Sequence, residues 1–160
     1  MPSPIVYYRQ NDPLWANVTI GKTKLPLWRW GCTITALCTL LSSRGYKITP
    51  GEMAKLPGLY NDQGEMIWAN LPKATKGMVK ACEGRIYGRN DAKIRTSILG
   101  GPTLVAMLQV EIKKDKHWLA AIGVLPGGED YWVSDPLDGK RKQLSKAYPG
   151  ITGSAHLILS

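Results

Sequence analysis

Phenylalanine is absent from this 160-residue chain, and histidine and cysteine are scarce, at two and three residues. Two histidines with no Cys-x-x-Cys pair do not make the usual zinc spacings, so neither a metal nor another cofactor is expected. Three cysteines make no secreted disulfide framework. Cys32 and Cys38 lie more than a turn and a half apart on one predicted helix, which suits no mutual bridge, so reduced thiols are expected. No apolar run approaches the roughly 18 residues of a membrane span. The stretch Met1-Pro2-Ser3-Pro4-Ile5-Val6-Tyr7-Tyr8 lacks a basic segment followed by an apolar one, so no secretory signal is visible. The location stays open between the cytoplasm and release, by lysis or on a phage particle. Repeats and low-complexity tracts are also missing.

What is present points to a globular protein. Apolar residues make up 44% of the chain, with six Trp and seven Tyr supplying the aromatic bulk. The length suits one domain, 1–160, with a helical half at about 30–100 and a sheet half at about 101–160. The net charge of +9 favours anionic polymers as partners. The basic residues are scattered, however, apart from Lys113-Lys114-Asp115-Lys116 and Lys140-Arg141-Lys142, both read as solvated hairpin or loop tips. No zinc spacing, arginine-rich arm or RNA-binding signature accompanies them, so no dedicated nucleic-acid binding is expected.

The pattern along the chain predicts α+β. Ile5-Val6-Tyr7-Tyr8 reads as a strand or strand-like arm, ended by the Asp12-Pro13 turn, and Val18 to Lys24 as a surface hairpin or loop. Ile34, Leu37, Cys38 and Leu41 form a helical stripe within 33–44, with Gly45 as its stop. Thr49, Pro50 and Glu52 make a capping box opening a helix to about Leu56. Residues 67–71 and 74–82 are read as short helices, Ile86-Tyr87 as a strand, and Asp91 to Leu99 as an amphipathic helix. Strands follow at 103–108, 117–124, 131–135 and 155–159, the last closing an antiparallel sheet.

The chain is organised around Trp28-Arg29-Trp30-Gly31-Cys32, where a loop becomes the first long helix. First-turn amides of a helix lack intrahelical acceptors, and the dipole there is positive. A thiol at that end is stabilised as thiolate, the nucleophilic form. Gly31 would permit a tight turn and leave space for a substrate carbonyl. His117 opens one predicted strand and Asp135 ends its hairpin partner, so the carboxylate could fix the tautomer of a histidine facing the thiol. Asp138 is a rival carboxylate, although Leu137-Asp138-Gly139 reads as a turn. Gln10 carries an amide donor that, with the Cys32 amide, could hold an oxyanion. Cys38 reads as core, Cys82 as a buried or semi-exposed thiol, and His156 as part of the last strand.

Gln10-Asn11-Asp12-Pro13-Leu14-Trp15-Ala16, Gly31-Cys32, His117-Trp118 and Asp135-Pro136 resemble the motifs of papain-like cysteine peptidases related to the bacteriocin-processing, double-glycine leader peptidases. The likeness runs from about Tyr8 to the C-terminus and includes the Thr49-Pro50 helix start. It implies a papain-like fold, with the cysteine heading a central helix packed on an antiparallel sheet. It also implies Cys32 as nucleophile, His117 as general base and acid, Asp135 as orienting group and Gln10 as oxyanion donor. Thr33-Ile34-Thr35 departs from the small residue, proline and Thr or Ser that often follow the family's cysteine, which weakens any transfer of substrate preference. The sequence carries no transporter domain, so maturation of a bacteriocin precursor is not implied.

These readings lead to a thiol peptidase or amidase that cleaves a peptide-type amide through a thioester. Its expected substrate is a protein or peptide, or the peptide stem of bacterial cell wall as in a phage or bacterial lysin. The alternative is a non-catalytic papain-like scaffold that binds a partner or builds an assembly.

Overall fold

A computed structural model describes residues 4–160. Residues 1–3, which open the stretch read for a secretory signal, lie outside the described residues. The helices are α1 (Leu27–Trp30), α2 (Cys32–Ser42), α3 (Pro50–Met53), α4 (Leu71–Ala74), α5 (Asp91–Leu99) and α6 (Leu144–Ala147). The strands are β1 (Val79–Tyr87), β2 (Leu104–Ile112), β3 (Asp115–Val124), β4 (Tyr131–Asp135), β5 (Lys140–Gln143) and β6 (Gly153–Leu159). They form one antiparallel sheet in the order β1-β6-β2-β3-β4-β5, so the fold is α+β as expected.

Residue alternation along β2 and β3 divides the core in two. Met107 and Ala120 face α2, where Ile34, Leu37 and Leu41 are buried with them. Leu108, Val110 and Leu119 face the other way, against Ile94 of α5 and Val133. Every residue of α2 from Ile34 to Ser42 is buried, as expected for a helix apolar on most of its circumference. Its stop is Gly45, at φ +86°. The helix is further held by the N-terminal arm, which forms no strand among the described residues. The Val6 and Tyr8 amides donate to the hydroxyls of Ser42 and Thr39 (2.8 and 3.3 Å). A buried helix with two outward hydroxyls thus takes the place of a sheet edge.

Several elements differ from the pattern-based expectation. The capping box on Thr49 and Glu52 is present, but α3 ends at Met53 rather than Leu56. The expected helix over 74–82 is instead the end of α4 and the start of β1. Lys76 and Gly77 both have positive φ (51° and 87°), which breaks the helix. Pairing with β6 then extends the chain, a tertiary gain that outweighs the local preference of Ala81 and Cys82. As β1 lies within 79–87, the sheet is not confined to residues after 101. β6 does not close the sheet at an edge but inserts between β1 and β2. Lys140-Arg141-Lys142 is not a loop tip but most of β5, an edge strand whose charges protect an open ladder.

Lys113 and Lys114 do form a hairpin tip, the two-residue turn between β2 and β3, with φ of 46° and 72°. Two positive φ values are those of a type I′ turn, which Asn-Gly fits and lysine does not. Replacing the pair by Asn-Gly is expected to raise stability by about 1–2 kcal/mol, read from chemical denaturation midpoints at unchanged slope.

His156 is buried between two hydroxyls, with Ser97 Oγ at 2.7 Å from Nδ1 and Ser154 Oγ at 2.8 Å from Nε2. Burial, reinforced by the Lys93 charge, pushes it down to about 4. The folded state therefore holds the neutral ring while the unfolded chain still takes up a proton near pH 6.5. This contribution is present above that pH and is lost as pH falls from about 6.5 towards 4. Urea titrations at pH 7 and 4.5 should show His156→Gln sparing about 2–3 kcal/mol of the acid loss seen in the native protein.

Candidate active site

The site is assembled at the head of α2. α1 runs into Gly31, whose amide donates to the Leu27 carbonyl (2.9 Å), and α2 begins at Cys32. The need for glycine here is not the open space expected from the sequence. A Cβ on residue 31 would lie 2.6 Å from the Leu27 oxygen and 2.7 Å from its Cδ2. Close packing of two successive helices, with φ at −88°, therefore excludes any side chain.

Cys32 is half-buried and free. Burial alone pushes its thiol up. The hydrogen bond and charge of His117, the Trp118 amide and the Thr33 hydroxyl more than offset this, so its pKa lies below the ordinary thiol range. The opening turn of α2 adds unpaired amides and a positive dipole end. Cys38, one and a half turns on, sees only burial and the Glu52 charge and is raised well above that range. One helix thus carries one thiol that its neighbours lower and one that burial raises.

His117 sits on β3, two residues after the strand begins, and is buried. Its Nε2 lies 2.8 Å from Asp135 Oδ1, which leaves Nδ1 as the nitrogen that faces Cys32. Burial opposes the charged ring, yet the hydrogen bonds to Asp135 and Cys32 and their negative charges push it up to about 9. The thiol is lowered by the imidazole, and the imidazole is raised by Asp135 and the thiol, so the two titrations are coupled.

Asp135, at the end of β4, has no solvent exposure. Burial would raise its carboxyl, but the donors around it hold it well below the usual carboxylate range. Oδ1 accepts from His117 and from the Leu137 amide (3.0 Å), and Oδ2 from Lys142 Nζ (2.8 Å) and the Tyr148 hydroxyl. Four donors on a buried carboxylate fix its place and the ring's orientation. Asp138 reaches Lys142 (2.9 Å) from the solvent side, so the carboxylate against His117 is Asp135. Lys142 and Tyr148 were not legible in advance. Lys142 belongs to a stretch that read as a solvated tip, and Tyr148 follows a one-turn helix with no motif of its own.

Gln10 is buried beside α1. Its amide nitrogen donates to the Trp28 carbonyl (2.9 Å), and its backbone amide to Pro136 O (2.8 Å), next to Asp135. The side-chain oxygen is buried without a partner. Gln10 thus ties the N-terminal arm to both halves of the site with one Nε2 hydrogen unspent.

A cleft of about 640 Å³ opens on Cys32, lined among others by Trp30, Trp68, Trp118, Gln109 and Arg85. Trp118 tilts against Trp68, with ring centroids 5.6 Å apart. The two tryptophans supply a broad apolar floor beside the thiol. No helix among the described residues is long and apolar enough to cross a membrane.

This architecture is similar to that of a solved structure, the peptidase domain of Streptococcus ComA, a bi-functional ABC transporter involved in a quorum-sensing pathway. That match has a TM-score of 0.53 and 17% identity, over 88% of this chain and 97% of that domain, and it shows the fold. No curated protein matches the sequence. The model of the Peptidase_C39 like family matches residues 3–156, nearly the whole chain. With the papain-like arrangement of a helix-head cysteine against an antiparallel sheet, this match means that the chain belongs to the Peptidase_C39 like family of cysteine peptidases.

Proposed function

We propose that the protein is a cysteine peptidase that hydrolyses a peptide-type amide, with Cys32, His117, Asp135 and Gln10 as its machinery. The observation that carries this reading is the Cys32–His117–Asp135 chain of contacts beside an open cleft. The Cys32 thiolate attacks the scissile carbonyl carbon. The resulting oxyanion takes hydrogen bonds from the Cys32 backbone amide and the spare Nε2 hydrogen of Gln10. His117 gives its Nδ1 proton to the leaving amine as the tetrahedral intermediate collapses to a thioester. It then takes a proton from water, whose oxygen attacks the thioester, and keeps that proton as the thiolate departs with the carboxyl product released, which restores the starting pair. Asp135 holds the ring throughout and balances its positive charge.

Within this reading the substrate is a peptide, and the stem peptide of bacterial cell wall is the alternative that the +9 charge favours electrostatically. The domain 1–160 acts as a single unit. The test is digestion of a mixed peptide library and of purified cell wall, followed by mass spectrometry of new termini, at low and high salt. New termini in the library support a peptidase. Termini confined to cell-wall stems and suppressed by salt point to the lysin substrate. No new termini in either, with Cys32 unreactive, leave the scaffold reading in place.

A further inference from the structure

The cleft beside Cys32 contains a guanidinium with unspent donors, and its setting concerns the substrate of the reaction proposed above, on which this inference rests. Arg85 projects from β1 with its guanidinium carbon 4.7 Å from the Tyr87 ring centroid and 5.1 Å from that of Trp118. Stacking of this kind fixes the plane of the fork without using its N–H groups. One long hydrogen bond is made, from Nη1 to the Tyr87 hydroxyl (3.3 Å), while Nε is buried and has no partner. No carboxylate among the described residues forms an ion pair with it.

The sheet register gives Arg85 its reach. Tyr87, Gly153, Gln109 and Trp118 lie in one row across β1, β6, β2 and β3. Gly153 leaves that row without a side chain at its second position. A Cβ there would lie 3.2 Å from Gln109 Oε1 and 3.1 Å from the Ile86 carbonyl. The resulting trough lets a residue on β1 reach a ring on β3. Lys116 lines the same cleft, and the acid of the lining, Glu65, stands on the loop that carries Gln63 and Gly64.

We propose that Arg85 is a specificity residue that receives a carboxylate of the substrate, either an acidic side chain or a free C-terminus. A planar fork with unpaired N–H groups, held against two aromatic faces, is the donor set for a bidentate carboxylate.

The test uses peptides with one Glu walked along an otherwise neutral sequence, each paired with its Gln counterpart and made both as free acid and as C-terminal amide. The first readout is kinetic, for the native protein, Arg85→Met and Arg85→Lys. A carboxylate at one position should lower KM about tenfold with kcat little changed. Arg85→Met should abolish that preference, and Arg85→Lys should keep part of it. A preference for the free acid over the amide identifies the C-terminus as the source, and one for an internal Glu the side chain. The second readout needs no turnover: the same peptides compete with iodoacetamide for Cys32. Cleavage and protection that ignore the carboxylate, or ignore the Arg85 substitutions, overturn the inference and leave the peptidase reading standing. Arg85-dependent protection by carboxylate peptides that are never cleaved upholds the inference and overturns that reading. Should Arg85→Met not fold, Arg85→Lys decides the matter. A several-fold KM increase for the Glu peptide alone upholds the inference, and an unchanged KM overturns it.

Discussion

Cys32→Ala is expected to lower peptide hydrolysis by about 10⁴-fold or more, because the rest of the site cannot replace a covalent nucleophile. The fold should survive the change. The substitution removes a single sulfur from a half-buried position at the start of α2, while the residues that bind this helix to the sheet are Ile34, Leu37 and Leu41. A melting curve close to that of the native protein, combined with lost turnover, assigns the effect to chemistry. Turnover retained within tenfold would remove Cys32 from the mechanism. Cys38→Ala offers the contrast. It opens space in the core and lowers stability, yet should leave kcat nearly unchanged, since that thiol is fully buried and held protonated.

The second large effect belongs to Asp135, and its two substitutions separate structure from catalysis. Asp135→Ala leaves His117 Nε2, Lys142 Nζ, the Tyr148 hydroxyl and the Leu137 amide around an empty, dry site. Removing one partner from such a buried network costs about 3–5 kcal/mol, and the histidine ring is released as well. Denaturation should show that loss directly. Asp135→Asn keeps an acceptor for His117 but turns an amide NH₂ towards Lys142 and Tyr148, and it removes the negative charge. Its expected signature is therefore in the pH profile. With Asp135 ionised, His117 titrates at about 9, so activity that needs the imidazolium falls as pH rises through that value. In Asp135→Asn the alkaline limb should move to lower pH, with kcat reduced about 10- to 100-fold. A limb that stays near 9 would mean that the carboxylate does not set the histidine's charge.

Linkage gives the same network a stability profile with a definite sign. His117 is raised, so its contribution is fully present below about pH 6.5 and is lost as pH rises through about 9. Asp135 is lowered, so its contribution is present above about pH 4 and is lost on further acidification. The network is most stabilising between these limits, which is where Asp135→Ala should differ most from the native protein.

The parts of this fold that are legible in the sequence share a physical trait: their signal is local. α2 and α5 are visible as apolar spacing, α3 opens on a four-residue capping box, and β4 is a short alternating run beside a Pro-Gly-Gly turn. Cys32, His117 and Asp135 can be paired because each stands at an element boundary, and the β3–β4 hairpin brings two of them together. Elements stabilised from a distance escape such reading. β1 depends on β6, some seventy residues away, and β5 is polar because it is an edge. Lys142, Tyr148 and Arg85 acquire meaning only from neighbours that the sheet supplies, so no motif could mark them. Gln10 can be placed near the site from its motif, but that one of its amide hydrogens is spent on Trp28 is a fact of packing alone.

The most direct test of the catalytic pair is the rate of Cys32 alkylation by iodoacetamide as a function of pH, followed peptide by peptide so that Cys38 and Cys82 are resolved. A thiolate–imidazolium pair predicts a limb below the ordinary thiol pKa of about 8.5, and then a plateau that changes near pH 9 as His117 loses its proton. His117→Ala should collapse this to one limb in the ordinary thiol range. A native profile with that single ordinary limb, unchanged by His117→Ala, would contradict the claim that the two residues form a catalytic pair.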